Sequence, residues 1–195
     1  RTFSSAASDV YKRQAMTRGD HNSGTDRLAE VVDQLTWPDD TVIVNLQGDE
    51  PLMPLENIQR VAAMLAETSS ADIATLMEPL DRAVADEPSI VKVVASETGR
   101  AQYFSRTAIP AQAAGREAAP MFRHVGLYAY RARFLRKFVT WPPASLELSE
   151  SLEQLRALAH DVHIQIELAP QSVPAGVDTE ADLEAVRAHM ASGGW

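Results

Sequence analysis

Apolar residues along this chain recur in two periods that alternate from one segment to the next. Leu28, Val31, Val32 and Leu35 follow the i, i+3, i+4, i+7 spacing of one helix face. Ser23 and Asp26 can cap the start of that helix. The run Thr41-Val-Ile-Val-Asn-Leu is then almost continuously apolar and β-branched, as expected of a strand covered by helices on both faces. Ile58, Val61, Ala62 and Leu65 mark a second amphipathic helix, and strands are predicted at Asp72-Ile-Ala-Thr-Leu-Met and Ile90-Val-Lys-Val-Val. A short extended segment over 101–106 precedes 110–120, whose Ala, Gly, Gln and prolines read as a surface loop. From His124 to Arg131 the pattern alternates, which places His124, Gly126, Tyr128 and Tyr130 on one face of a strand. Over 147–159 the spacing predicts one helix with Leu148, Leu152, Leu155 and Ala159 inward, leaving Glu150 and Gln154 on the solvent side. A last strand is read at 163–168, and Thr179 with Asp182 three residues on caps a final helix.

Helices and strands in alternation point to an α/β fold with a largely parallel sheet. The segment 1–14 has neither period, nor the apolar centre of a signal peptide, and is expected to be a disordered or foreign leader. The expected organisation is one domain over 15–190, followed by a short tail at 191–195.

The 195 residues are 45% hydrophobic and 23% charged, enough for one sizeable core. A formal charge of −9 argues against nucleic acid as the main partner, because a phosphate backbone requires clustered Lys and Arg. Without cysteine there is no disulfide framework, thiol nucleophile or thiolate metal site. No apolar run approaches the roughly 20 residues that span a bilayer. A soluble, reducing compartment such as the cytoplasm fits this composition.

Chemistry concentrates where strands end. Val-Asn-Leu-Gln-Gly-Asp-Glu-Pro at 44–51 carries a buried-strand pattern into Gln47, Gly48, Asp49 and Glu50, where open α/β sheets bind ligands. Gly48 permits close approach of a phosphate or sugar, and an acid so placed can hold Mg²⁺ against a phosphate. An ordinary polar strand-to-helix loop has the same pattern, and spacing leaves both readings open. The stretch from Arg18 to Arg27 presents a helix N-terminus beside two arginines, suited to an anion or ribose, or equally a capped helix with solvated charges. His124, Tyr128 and Tyr130 can grip a sugar acid or simply pack a sheet face. Asp178 lies in a loop before a helix, and with Asp49 forms a candidate pair of Mg²⁺ ligands delivered from two distant loops.

Six segments in order carry a resemblance. They are Met-Thr-Arg-Gly-Asp-His-Asn-Ser-Gly-Thr-Asp-Arg-Leu-Ala-Glu-Val from Met16, the 44–51 run, Tyr-Phe-Ser-Arg-Thr-Ala-Ile-Pro from Tyr103, Arg-His-Val-Gly-Leu-Tyr-Ala-Tyr-Arg from Arg123, Glu-Ser-Leu-Glu-Gln-Leu-Arg from Glu150, and Gly-Val-Asp-Thr-Glu-Ala-Asp-Leu from Gly176. Together, from Met16 to Ala188, the chain resembles the 3-deoxy-manno-octulosonate cytidylyltransferases. The resemblance implies a mixed, mostly parallel sheet flanked by helices, as in nucleotide-diphospho-sugar transferases, and a homodimer. It implies transfer of a cytidylyl group from CTP to 3-deoxy-manno-octulosonate (KDO), with Mg²⁺ as cofactor, for lipopolysaccharide assembly in the cytoplasm. It assigns Asp49 and Asp178 to the metal and the catalytic step, and Arg18, Ser23, Gly24 and Gln47 to the nucleotide. Tyr103, Arg106, His124, Tyr128, Glu150 and Gln154 go to the sugar acid, which moves Glu150 and Gln154 from the solvent face into a pocket.

The family begins with a strand and a basic, Gly-containing loop that holds the triphosphate, and residues 1–14 stand in that place without resembling it. Smaller departures are Ser89, where Asn is usual, and Val173-Pro-Ala-Gly, one residue shorter than common. Two other readings therefore stay open. One is a catalytically inactive chain that only binds a sugar acid or dimerises. The other is an enzyme for a different sugar acid.

Overall fold

The computed structural model describes residues 2–4, 13–21, 23–174, 176–177 and 179–192. The chain falls into two compact units, one made of 1–41 with 131–142 and the other of 42–130 with 143–195.

In the first unit, β1 (Thr2–Ser4) and β2 (Arg13–Ala15) pair antiparallel within and beside the stretch expected to be a leader. Helix α1 (Gly24–Gln34) starts where the sequence places it, with the Ser23 hydroxyl accepting from the Asp26 N–H at 3.1 Å. Its inward stripe is Thr25, Ala29 and Val32, so Leu35, 37% exposed, lies past the buried face. It packs against α3 (Ala132–Phe138), whose Phe134 and Phe138 form an aromatic cluster with Trp141, centroids 5.4–6.3 Å apart. The Arg136 guanidinium binds Asp33 at 2.9 Å, Asp39 at 2.5 Å and the Trp37 carbonyl at 2.6 Å, tying the loop after α1 to α3.

The second unit is built on a six-stranded sheet of β3 (Val42–Asn45), β4 (Ile73–Leu80), β5 (Lys92–Ala95), β6 (Ala101–Ser105), β7 (Met121–Arg131) and β8 (Ile164–Leu168). The strand order is β6-β5-β7-β4-β8, with β3 also paired to β7. Because β4 runs along one edge of β7, the other edge is shared by β5 and β3. The sheet is mixed, as expected, but its parallel share is smaller than the resemblance implied. Of the pairings with described register, β4–β8 is parallel, while β4–β7, β5–β6 and β5–β7 are antiparallel. The β5–β6 pair has little choice, since only a short turn joins the two strands, and a parallel return needs a long crossover.

Helix α2 (Leu55–Glu67) covers one face, burying Val61, Met64 and Leu65 against Ala74, Leu76, Val125, Leu127 and Ala129. That set confirms the alternation read in 124–131: the odd-numbered residues enter the core, and His124, Gly126 and Tyr128 face the other way. The single helix expected over 147–159 is corrected to two. Helix α4 (Ser145–Glu150) stops at Ser151, which adopts a left-handed backbone with φ of 53°, and α5 (Gln154–Ala159) starts in a new direction. The break rotates the pattern, so Leu148 is 68% exposed and Ala159 is exposed, while Glu147 is buried with Arg156, Leu152 and Leu155. Helix α6 (Glu180–Ala191) begins with the expected box, in which Thr179 and Asp182 satisfy each other's backbone N–H groups.

Candidate functional site

The α4–α5 break places Glu150 at the end of α4, facing β6. Its Oε1 accepts from the Ser105 hydroxyl at 2.8 Å and from the Tyr103 hydroxyl at 3.3 Å. Oε2 accepts from the Arg106 backbone N–H at 2.9 Å. That backbone bond, followed by the Ser105 and Tyr103 hydroxyls against the opposing effect of burial, holds the carboxyl below its ordinary range, so it is ionised at neutral pH. A carboxylate has about four acceptor positions. With three filled, one remains on Oε2 for a ligand hydroxyl.

Arg106 closes the other side of this cluster. Its Nε donates to the Glu150 carbonyl at 2.8 Å, Nη1 to the Pro88 carbonyl at 2.9 Å and Nη2 to the Ser151 carbonyl at 3.3 Å. The Glu150 and Ser151 carbonyls are those a helix end leaves without partners, and the guanidinium satisfies them. Three of its five N–H groups are thereby used, and two are left to meet an anionic or carbonyl oxygen.

Beneath Arg106 lies a residue that the sequence reading passed over. Lys92, in β5, is fully buried, and its ammonium donates to the carbonyls of Glu87 at 3.0 Å, Ile90 at 2.6 Å and Arg106. Burial pushes its pKa down. The signal was present in the sequence as the single charge inside Ile90-Val-Lys-Val-Val. Ser105 was likewise missed, because a serine at the end of a short strand has no distinguishing pattern.

On β7, His124 lies 5.1 Å from both Phe104 and Tyr128 by ring centroid, and Tyr128 stacks on Tyr130 at 5.5 Å. The His124 Nε2 is 2.9 Å from the Thr75 hydroxyl. Burial, then the Arg123 charge, pushes the imidazole down to about 3, and burial raises the Tyr128 phenol well above its usual value. At neutral pH the His124 imidazole and the Tyr128 phenol are therefore both uncharged. Gln154, the first residue of α5, is half-buried four positions after Glu150.

The end of β3 forms a second cluster. Residues 47–50 make a turn, with the Glu50 N–H donating to the Gln47 carbonyl at 3.3 Å, and Gln47, Gly48 and Asp49 are exposed. A Cβ at Gly48 would meet no atom within 4 Å. The Val177 N–H donates to the Asp49 carbonyl at 2.8 Å, and a Cβ at Gly176 would come within 3.1 Å of that same oxygen. The chain entering position 178 is thus held against the Asp49 loop, and Gly176 is the residue that permits the approach. Asp178 itself lies outside the described residues. Upstream of Gly176 the same connection is pinned by Asn57, wholly buried, which donates to the Gln171 carbonyl at 2.8 Å and accepts from its N–H at 2.9 Å.

In the first unit, the loop carrying Arg18 is fastened along α1. Glu30 accepts from the Arg18 N–H at 3.2 Å and pairs with His21, and Arg27 donates to Thr17 at 2.6 Å. The Arg18 guanidinium stays largely exposed, 3.6 Å from Glu30 and 3.7 Å from Asp20. Ser23 is the α1 cap and Gly24 its first residue. Among the described residues, no three His, Asp or Glu side chains converge as a metal cage. No helix among them is long and apolar enough to cross a membrane.

Comparison with known proteins identifies the family of the chain. Residues 5–164 match the profile of a family described as cytidylyltransferase. The chain is 52% identical, over 90% of its length and 72% of the relative's, to 3-deoxy-manno-octulosonate cytidylyltransferase of Hahella chejuensis. It is 49% identical to the protein of the same name from Alcanivorax borkumensis, over 90% of this chain and 73% of that one. Its fold superimposes with a TM-score of 0.83 on the structure of a CMP:2-keto-3-deoxy-manno-octonic acid synthetase complexed with CTP, at 41% identity, covering 92% of this chain and 72% of that one.

Proposed function

The chain belongs to the cytidylyltransferase family, and we propose that it transfers the cytidylyl group of CTP to KDO, giving CMP-KDO and pyrophosphate. The observation that carries this reading is the cluster around Glu150: Tyr103, Ser105 and Arg106 from one strand end converge on a carboxylate that pattern alone had placed in solvent. Relatives half-identical to this chain bear the name of that reaction.

In the proposed reaction the anomeric hydroxyl oxygen of KDO attacks the α-phosphorus of CTP. The bond to the β-phosphate oxygen breaks, the hydroxyl proton is lost, and pyrophosphate leaves. No covalent intermediate is needed, so the residues act by positioning and by balancing charge. Glu150 accepts a sugar hydroxyl at its one open position, and the two spare N–H groups of Arg106 meet anionic oxygen. His124, Tyr103, Tyr128 and Gln154 complete the sugar-acid side. Motif likeness assigns Arg18, Ser23, Gly24 and Gln47 to the nucleotide.

The donor chemistry at the end of β3 suits Mg²⁺, a hard cation held by carboxylate oxygens with phosphate and water. Asp49 is exposed there, and the chain leading into Asp178 is hydrogen-bonded to its carbonyl, which supports assigning both carboxylates to the ion. Bound Mg²⁺ would neutralise phosphate charge as a Lewis acid. The same reading carries a homodimer acting in the cytoplasm, in the supply of KDO for lipopolysaccharide.

Pyrophosphate release from CTP, followed with KDO and with sialic acid as alternative acceptors, tests the substrate. Release with KDO at least tenfold faster is expected. Equal turnover of both would overturn the choice of sugar acid, and no release with either would favour a chain that only binds.

A further inference from the structure

Resting on the sugar-acid reading of the His124 face, we propose that Thr75 fixes the tautomer of His124 with its proton on Nε2, so that Nδ1 accepts a hydrogen bond from a hydroxyl of the sugar acid and cannot pair with its carboxylate.

The sheet is irregular next to His124. In the antiparallel pairing of β4 with β7, Thr75 is opposite Tyr128 but Leu76 is opposite Val125, so Gly126 and Leu127 are left over on β7. A bulge of this kind leaves backbone groups without ladder partners. Thr75, fully buried, supplies what is missing, with its hydroxyl 2.9 Å from the Leu127 carbonyl and 3.1 Å from the Val125 carbonyl. The third neighbour of that hydroxyl is the His124 Nε2 at 2.9 Å.

Only one proton is available on the hydroxyl, and carbonyl oxygens cannot donate. Were it given to Nε2, the threonine oxygen would face two carbonyl oxygens at hydrogen-bond distance with nothing between them. The proton therefore goes to the carbonyls, and the Nε2 contact must be an N–H donated by the imidazole to threonine. The close packing of Phe104 and Tyr128 disfavours a second ring proton, which agrees with the strongly lowered basicity of this imidazole. The remaining nitrogen, Nδ1, makes no hydrogen bond among the described residues and carries a lone pair. A neutral imidazole in that state attracts O–H groups and repels carboxylate oxygen. His124 in this state reads a hydroxyl. Thr75 is thus a positioning residue that touches no substrate and acts through the ring it orients, as the second partner of a functional histidine commonly does.

The test uses the full chain labelled with ¹⁵N-histidine, with the His124 signals assigned by their loss in His124→Gln. The wild type is expected to show the proton on Nε2, and the Nδ1 resonance is expected to shift when KDO is added. Thr75→Ser, which keeps the hydroxyl, should retain both the tautomer and the kinetics. Thr75→Val should shift the proton partly or wholly to Nδ1 and raise the KM for KDO at least fivefold, leaving the KM for CTP unchanged. A proton on Nδ1 in the wild type or in Thr75→Ser would overturn the assignment, whether or not Thr75→Val folds. A Thr75→Val protein with wild-type tautomer and wild-type KM would overturn it too. If Nε2 carries the proton but KDO leaves Nδ1 unmoved, the acceptor role is wrong. If Nδ1 responds to KDO and yet no CTP is consumed, the functional reading fails instead.

Discussion

An ammonium group in a dry interior survives only if its charge is met, and Lys92 meets it with three backbone carbonyls gathered from Glu87, Ile90 and Arg106. That gathering also fixes the backbone of Arg106, whose N–H in turn orients Glu150. Replacing Lys92 with Met keeps the volume and removes the donors, so three carbonyls lose their partner at once. We predict a loss of about 2–4 kcal/mol in denaturant unfolding, with a loss below 1 kcal/mol contradicting the account. Glu150→Ala should act on function, raising the KM for KDO at least tenfold with the KM for CTP little changed, as steady-state kinetics would show. A change confined to CTP would move Glu150 to the nucleotide side. His124 gives a pH signature. Its folded value of about 3 lies below the ordinary 6.5, so the unfolded chain binds the proton more readily. Its contribution to stability is complete above pH 6.5 and is lost as pH falls from there towards 3. A His124→Asn variant should show a shallower decline over that window in urea titrations, and an unchanged slope would contradict the burial argument. Glu150, also lowered, adds to the decline only below its ordinary 4.5. At this scale the sequence displayed identities without consequences. Glu150 looked like a solvated helix residue, because nothing local announces that Ser151 turns left-handed.

Elements were more legible, and their failures have one cause. Strands and helices announced by period and caps appear where expected, as at α1, α2, β7 and α6. What periodicity missed is the irregular joints: the Ser151 break and the bulge at Thr75 and Leu76. Each interrupts a period for a reason that is tertiary, since the compensating groups come from distant strands. The turn between β5 and β6 is such a joint. Gly99 has φ of +74°, and a Cβ there would lie 2.7 Å from the Gln165 Nε2 and 3.0 Å from the Ile166 carbonyl. Its own carbonyl accepts from the Ile166 N–H at 2.7 Å, fastening the hairpin to β8. Gly99→Ala is expected to cost about 1–3 kcal/mol through backbone strain and this contact. Thermal or urea unfolding would check it, and a neutral substitution would mean that the turn is free to rearrange.

For the whole molecule, function depends on groups that the chain separates widely and the fold returns to one another. Asp49 follows β3, and the stretch that meets its carbonyl, 176–177, precedes α6. Sequence could nominate Asp49 and Asp178 but could not show the loops meeting. The Val177–Asp49 hydrogen bond and the space that Gly176 leaves bring the described part of that pair together. The net charge of −9 adds a physical demand, because a trianionic or tetra-anionic nucleotide approaches this surface only with cationic help. Asp49→Ala is therefore expected to lower kcat roughly a thousandfold, about 4 kcal/mol of transition-state stabilisation, with a loss below tenfold contradicting its role at the metal. Everything above turns on whether the chain joins CMP to KDO. Following the ³¹P spectrum of CTP and Mg²⁺ with the protein, before and after KDO is added, tests it most directly. A phosphodiester signal and pyrophosphate are expected to appear together in equal amounts, and only after KDO is present. Pyrophosphate without KDO, or KDO addition that leaves the CTP signals intact, would contradict it.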